Sequence, residues 1–256
     1  MEVPRYPDLA GKVGVVTGGS RGIGAATVEA LAANGVRVAV NGRDETAINR
    51  VVEGVADGGG RAFAAPADVC DFRAVEGMRE RVEDELGPVD LLIAFAGGFG
   101  AMTPVQDTSE EEWHAVIESN LTSTFLTVKS FVPRMIERRR GCIVTMSSNA
   151  GRFLDIPLTA SYAAAKAGIA MFTRHIAKEL GPHGIRANCI APATTLSERV
   201  QRIMPEERRA EISAMAPLGR LGRPEDSAMV TLFLSSDAAG WLTGVTVDVA
   251  GGRIML

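Results

Sequence analysis

The sequence predicts an α/β protein: one Rossmann-type, doubly wound parallel sheet of about seven strands, with helices on both faces. Three observations carry this expectation. Short apolar runs alternate with polar or amphipathic stretches along the whole chain, the pattern of strands joined by crossover helices. The strand-like runs are apolar almost without interruption, as in parallel sheets buried on both faces. A glycine-rich turn, Gly18-x-x-x-Gly22-x-Gly24, joins the first run to the first helix.

Residues 1–10 read as a tail, and Lys12 to Thr17 as the first strand. Ala25 to Asn34 reads as a helix that Gly35 ends, because glycine accepts the left-handed conformation past a helix terminus. Val36 to Asn41 is the second strand, and a helix over 44–57 is broken by Gly58-Gly59-Gly60. Ala62 to Ala65 is a short third strand, followed by a polar helix over 71–86. Val89 to Phe95 is the fourth. Ser109, with Glu112 three residues on, starts a long helix in a capping box; the helix is expected to reach Arg139 with a bend. Cys142 to Ser147 is the fifth strand, and the helix around Tyr162 runs to Leu180. Arg186 to Ala191 is the sixth strand. A polar segment from Thr194 to Gly219, a helix over 224–235 and a strand from Thr246 to Val249 complete the chain. No linker, repeat or low-complexity tract interrupts it, so residues 1–256 are expected to form one domain.

Composition narrows the function classes. Hydrophobic residues make up 46% and charged residues 23%, ordinary for a globular protein. The formal net charge of −4 gives no sign of nucleic-acid binding. No run of about 20 apolar residues spans a membrane, and Met1-Glu2-Val3-Pro4 does not start a signal peptide. Cys70, Cys142 and Cys189 are odd in number and far apart, and read as reduced thiols of a cytoplasmic protein. His114, His175 and His183 have no ligand spacing, so no metal site is expected.

The glycine turn sits between a buried strand and a helix, where backbone space lets a pyrophosphate approach the helix start. That context marks a dinucleotide site. The second strand ends Val40-Asn41-Gly42-Arg43, without the carboxylate that would take the 2′-hydroxyl of NAD. Arg43, with Arg21 in the turn, suits a 2′-phosphate, because guanidinium pairs bidentately with phosphate. NADP(H) is therefore expected over NAD(H). Asp44 is the counter-signal, able to reach the ribose or pair with Arg43.

Ser161-Tyr162-Ala163-Ala164-Ala165-Lys166 places a tyrosine and a lysine on one helix face. A free phenol has a pKa of ~10, so about one in a thousand is ionised at pH 7. An adjacent ammonium favours the phenolate, and a downward shift of two to three units, worth roughly 3–4 kcal/mol, would make Tyr162 an acid/base near neutrality.

Taken together, these residues resemble the short-chain dehydrogenase/reductase superfamily. The resemblance covers nearly the whole chain: Thr17-Gly18-x-x-x-Gly22-Ile23-Gly24, Asp68, Asn120, Ser148, Tyr162-x-x-x-Lys166, Pro192, Gly222-Arg223-Pro224-Glu225-Asp226 and Thr243-Gly244. Within it, the chain looks most like the bacterial 3-oxoacyl-[acyl-carrier-protein] reductase group. The resemblance implies a catalytic set of Asn120, Ser148, Tyr162 and Lys166. Tyr162 would give a proton to the carbonyl oxygen. Lys166 would lower its pKa and bind the nicotinamide ribose. Ser148 would orient the carbonyl oxygen, chosen over Ser147 because Ser148-Asn149-Ala150-Gly151 fits the family's Ser-x-x-Gly. Asn120 would hold a water between Lys166 and solvent. Gly18, Ser20, Arg21, Gly22, Ile23 and Gly24 would surround the pyrophosphate and its ribose. Asp68 and Val69 would flank the adenine, Ala96 and Gly97 would line its ribose, and Pro192 and Thr195 would complete the cofactor contacts. Two departures stand out: Ala94-Phe95-Ala96-Gly97 replaces the family's Asn-Asn-Ala-Gly, and Pro192-Ala193 replaces its Pro-Gly. Phe95 is expected to pack where the amides are missing.

The implied reaction is hydride transfer between NADPH and the ketone or alcohol carbon of a small or acyl-type substrate, which a carrier protein could present. A non-catalytic NADP-binding regulator or scaffold is the alternative. The substrate loops are expected at 99–102, 152–158 and 194–215, the last a lid. Phe99, Met102, Phe153, Leu154, Ile156, Leu158, Leu196, Ile203 and Met204 make this surface apolar, with Arg152 and Asp155 as polar contacts. Arg138-Arg139-Arg140 reads either as a solvated helix end or as a dock for an acidic carrier. A homo-tetramer is expected from the surplus of apolar and small residues on the Tyr162 helix and the helix before it.

Overall fold

The computed structural model describes residues 3–153 and 159–255. Among them, seven strands form one sheet: β1 (Val13–Thr17), β2 (Arg37–Val40), β3 (Arg61–Ala64), β4 (Leu91–Ala94), β5 (Gly141–Met146), β6 (Ile185–Pro192) and β7 (Thr246–Val249). The order is β3-β2-β1-β4-β5-β6-β7, and every neighbouring pair is parallel. The chain reverses its direction of winding between β1 and β4. In such sheets, ligands bind in the crevice beyond the carboxyl ends of the strands at that switch.

The helices are α1 (Gly22–Ala33), α2 (Glu45–Asp57), α3 (Phe72–Leu86), α4 (Glu110–Ile117), α5 (Ser123–Arg138), α6 (Ala160–Leu180), α7 (Glu198–Ile203), α8 (Glu206–Ala214) and α9 (Pro224–Ser235). Alternate strand residues face opposite sides. Val16, Ile93 and Val144 pack under α1, α2 and α9 with Leu31, Ile48 and Leu232. Val15, Leu92 and Ile143 pack on the other face with Met78 of α3, Phe131 of α5 and Leu180 of α6. This two-sided burial is why the strands read as continuous apolar runs.

The long helix expected over 109–139 is bent, and the bend has a defined cause. Ser109 and Glu112 form the expected capping box at its start. A π-helical turn, Glu118–Thr122, then separates α4 from α5. Inserting one wide turn offsets the hydrogen-bond ladder, and such turns occur often at functional sites. Asn120 lies inside it.

The polar Thr194–Gly219 stretch holds two short helices, α7 and α8. The three arginines at the end of α5 remain open to solvent at Arg139 and Arg140, and each also meets the fold. Arg138 and Arg140 both face Asp90, at 3.4 and 3.3 Å. Arg139 turns the chain at φ 51° and donates to Pro182 O at 2.7 Å. Asp90 also accepts the Val13 amide at 3.1 Å, so the cluster fastens the amino end of the sheet, opposite the ligand crevice.

Candidate active site

The carboxyl end of β5 and the start of α6 bring three of the four predicted catalytic residues together. Thr159 caps α6 by accepting the Tyr162 amide at 3.3 Å. Ser147, at the strand end, donates to Lys166 O at 2.7 Å and ties helix to strand. The loop between them must run close to the helix: a Cβ on Gly151 would lie 2.5 Å from the Lys166 carbonyl carbon, so the last residue of Ser-x-x-Gly admits glycine alone without movement. Ser148 accepts the Ala150 amide at 3.2 Å, which fixes its hydroxyl. That hydroxyl donates to Asn149 Oδ1 at 3.2 Å and stands near enough to the Tyr162 phenol to favour its ionised form.

Lys166 is fully enclosed, at 2% exposure. Its ammonium donates to Met146 O at 2.9 Å and lies 5.5 Å from the centre of the Tyr162 ring. The electrostatics differ from those of an exposed i, i+4 pair. Burial disfavours each charged form. It pushes the Tyr162 phenol above its ordinary value, against the Ser148 hydroxyl and the positive charge of Arg199. It brings the Lys166 ammonium down to about 8. The sequence expectation of a phenol lowered by Lys166 is thus reversed in the protein alone: desolvation outweighs a cation seated over the ring face.

Asn120 is also fully buried, but its side chain is committed to backbone. It donates to Gly98 O and Val116 O, both at 2.9 Å, and accepts the Gly98 amide at 3.1 Å. Its carbonyl accepts the Thr124 hydroxyl at 2.7 Å. The residue therefore joins the π-helical turn to the loop after β4 and holds Gly97 in the crevice. Phe95 is buried in the core, as expected for the missing amides, and Thr17 Oγ1 accepts the Phe95 and Ala96 amides at 3.1 and 3.2 Å.

The residues at the β1–α1 turn fit a dinucleotide. A Cβ on Gly24 would sit 2.1 Å from Gly18 O, so the turn closes this tightly only with glycine. Arg21 is the N-cap of α1 and makes no side-chain cap, leaving the first helical amides available to a phosphate. Asn41, buried at the end of β2, donates to Ala65 O and Ala67 O at 3.0 and 3.1 Å and so shapes the crevice wall. Asp44 is engaged twice, pairing with Arg21 and capping α2 through the Ala47 amide. Arg43 is exposed, and its charge acts on Cys70 beside Asp68, where the adenine was expected. Ser20 lies in the turn, Ile23 in the first turn of α1, and Val69 follows β3. Pro192 ends β6, and Thr195 bridges to Gly222.

Of the expected substrate contacts, Phe99 packs edge-to-face on Tyr162, with ring centres 6.2 Å apart. Met102, Phe153 and Ile203 are largely open to solvent. Leu154, Asp155, Ile156 and Leu158 lie outside the described residues. Arg152 is corrected: its Nε is 2.8 Å from Asp248 Oδ1, a partly buried ion pair that fastens the post-β5 loop to β7 and engages the side chain that was assigned to substrate. A cavity of ≈ 270 Å³ opens below α8 between Ala193, Thr194, Ile212 and Asp248, and none of the four catalytic candidates lines it. Sequence reasoning missed two residues. Ser147 was set aside in favour of Ser148, and Arg199 carries no local signal that it reaches Phe99.

The enclosed ammonium has a consequence for stability. The Lys166 pKa falls from ~10.4 unfolded to about 8 folded. Below 8 both states are protonated and the folded state bears the full burial penalty. Between the two values the folded state loses its proton first, so stability rises with pH. Lys166→Met should therefore stabilise the cofactor-free protein at pH 7 by ~1–3 kcal/mol, and the advantage should fade toward pH 10. Denaturant titrations across that range check it; a variant less stable than wild type at pH 7 contradicts it.

Comparison with known proteins agrees with this geometry. Residues 18–253 match a family model described as enoyl-(acyl carrier protein) reductase. The chain is 37% identical to a 3-oxoacyl-[acyl-carrier-protein] reductase of Synechocystis, covering 96% of this chain and 98% of that protein. It is 35% identical to 3beta-hydroxysteroid dehydrogenase 1 of Eggerthella lenta, over 98% and 96%. A crystal structure of a 3-oxoacyl-[acyl-carrier protein] reductase with bound NAD from Brucella melitensis superposes with a TM-score of 0.90 at 34% identity, over 98% and 94% of the two chains. With a Ser–Tyr–Lys cluster at the end of β5, a glycine turn at the sheet's switch point and full-length relatives on this scale, the chain belongs to the short-chain dehydrogenase/reductase family of oxidoreductases.

Proposed function

We propose that the protein is an NADP-dependent ketoreductase that interconverts a ketone and an alcohol on a small or acyl-type substrate, with Tyr162 as general acid/base. The observation that carries this reading is the grouping of Ser148, whose hydroxyl acts on the Tyr162 phenol, with a buried lysine 5.5 Å from the phenol ring at the mouth of the crevice. The nicotinamide cofactor, when bound, supplies or accepts the hydride. The chain's own groups handle the oxygen and the proton. Ser148 and Tyr162 present two hydroxyls to an oxygen on which negative charge develops, and such preorganised donors stabilise the transition state. A phenol held protonated by burial is ready to give its proton to a carbonyl. Lys166 holds positive charge over the ring as the proton leaves, and is placed to turn from Met146 O to ribose hydroxyls. Asn120 keeps the Gly97-Gly98 turn open. The cofactor would lie along Gly18, Ser20, Arg21, Gly22, Ile23 and Gly24, with Asp68 and Val69 at the adenine, Ala96 and Gly97 at its ribose, and Pro192 and Thr195 at the nicotinamide end.

The 194–215 segment is read as the substrate lid, and residues 1–256 as one domain. The exposed Phe125 and Met171, on neighbouring helices α5 and α6, support a homo-tetramer, which light scattering reads directly. Free cysteines support a cytoplasmic location. An acyl substrate on a carrier protein is in keeping with the relatives' names. Arg138, Arg139 and Arg140 could steer such a carrier, although contacts with Asp90 and Pro182 already engage part of their donors.

Cofactor oxidation followed against ketones, diketones and acetoacetyl thioesters tests the reaction. Turnover of at least one class is expected, and Tyr162→Phe should remove at least nine-tenths of it while leaving NADPH binding within a few-fold. A variant that keeps more than a tenth of the activity removes Tyr162 from the role of acid.

NADP preference rests on Arg43, free of the carboxylate that pairs with Arg21, and on the lack of an acid at the end of β2. Arg43→Asp with Arg21→Ser should weaken NADPH by one to two decades, since a charge-assisted hydrogen bond contributes ~1.5–3 kcal/mol. The new carboxylate would also accept the NADH 2′-hydroxyl. Raising salt should increase the NADPH Michaelis constant more than that of NADH. A wild-type protein that already prefers NADH overturns the assignment.

A further inference from the structure

One cation near the acid belongs to no part of the machinery described so far. Arg199 sits in α7, within the 194–215 segment, 37 positions from Tyr162 in sequence by their numbering. Its guanidinium stacks over the Phe99 ring, 4.5 Å from the centre, and donates to Phe99 O at 3.2 Å. Phe99 in turn meets the Tyr162 ring edge-to-face. The helix is thus fastened to the loop after β4, and that loop to the acid, through one aromatic ring. Each contact is specific in geometry, since planar guanidinium stacks on an aromatic face and also donates along its edge.

We propose that Arg199 is a positioning residue for Tyr162: seated on Phe99, it couples closure of the α7 segment to the placement of the phenol. The inference rests on Tyr162 being the acid. It adds a device that the Ser–Tyr–Lys set does not contain. When α7 is down, Phe99 is pressed against the phenol ring and a positive charge stands on the substrate side. When α7 lifts, both are withdrawn.

The electrostatics have the same sense. Two groups favour the phenolate, Ser148 from the end of β5 and Arg199 from α7, while the Lys166 ammonium lies 5.5 Å from the ring centre on α6. The Arg199 charge favours the phenolate and so opposes the effect of burial. Lys166 approaches the ring face from inside the protein, whereas Arg199 approaches from the lid. Closure therefore makes the proton easier to give, at the moment when substrate is enclosed.

The chain contains two tyrosines, so the phenol can be read without turnover. In a Tyr6→Phe background, phenolate absorbance after stopped-flow jumps to alkaline pH reports Tyr162 alone. Arg199→Met should move its titration to higher pH, and Arg199→Lys, which keeps the charge, should stay nearer wild type. Amide hydrogen exchange across α7 should be faster in Arg199→Met and in Phe99→Leu. Where a carbonyl substrate is found, kcat/KM should fall about tenfold in Arg199→Met, the scale of a partly desolvated cation–π contact. Arg199→Lys should recover part of that loss. An unmoved titration with unchanged α7 exchange overturns the proposal, as does an effect seen only in KM for anionic substrates, which makes Arg199 a substrate contact. Because titration and exchange need no reaction, a protein that reduces nothing in the panel refutes the proposed activity and leaves this coupling to be judged on its own data.

Discussion

The site depends on one constraint: an ammonium has to be enclosed where α6 packs on the end of β5. Lys166 lies between the Ser147 hydrogen bond to its own carbonyl and the Gly151 backbone, with Met146 O as its acceptor. Enclosing a charge with one neutral partner is costly, so the surrounding packing must over-determine the arrangement. The return is chemical. A cation with few partners interacts strongly with whatever polar group next enters the crevice, whether ribose hydroxyl or developing oxyanion. The same burial holds the phenol protonated. Acid and lysine are thus displaced from their ordinary values in opposite directions, each toward its neutral form.

Sheet topology brings this cluster to the cofactor's side. The β1–α1 turn, the end of β4 and the end of β5 all open at the carboxyl edge, adjacent in the order β1-β4-β5. Thr17 fastens the first two of these through the Phe95 and Ala96 amides, and Asn120 fastens the loop that follows. The opposite edge is held by a different kind of contact, the Asp90 carboxylate with Arg138, Arg140 and the Val13 amide. Charge is used there for fastening, well away from the crevice, whereas Arg43 and Arg199 stand at the carboxyl edge.

How much of this was legible follows from the range of the interactions. Strands such as Val13–Thr17 and Leu91–Ala94 announce themselves because both faces are buried and their runs are unbroken. The Ser109 capping box and the Gly18–Gly24 turn are local and were readable in place. The Tyr162–Lys166 pairing was legible as a pattern, but its electrostatics were not, since i, i+4 spacing says nothing of desolvation. The π-helical turn at Asn120 has no composition signature; it is a defect in the ladder, set by what Asn120 bonds across the crevice. The partners of Arg138, Arg140, Arg152 and Arg199 were not legible for one reason. Each meets a partner from a distant strand or loop, and a charged residue in sequence looks the same whether it is solvated or paired. The α7 and α8 helices are too short for the sequence to fix their bounds.

The most direct test of this account is the protonation of Lys166 itself, read by heteronuclear NMR of its side-chain nitrogen in the cofactor-free protein. The account predicts a pKa of about 8, together with an upward movement when a nicotinamide cofactor supplies polar partners. An ordinary lysine value of ~10.4 in the free protein would contradict it, because the ammonium would then be solvated and the site would not be built on its burial.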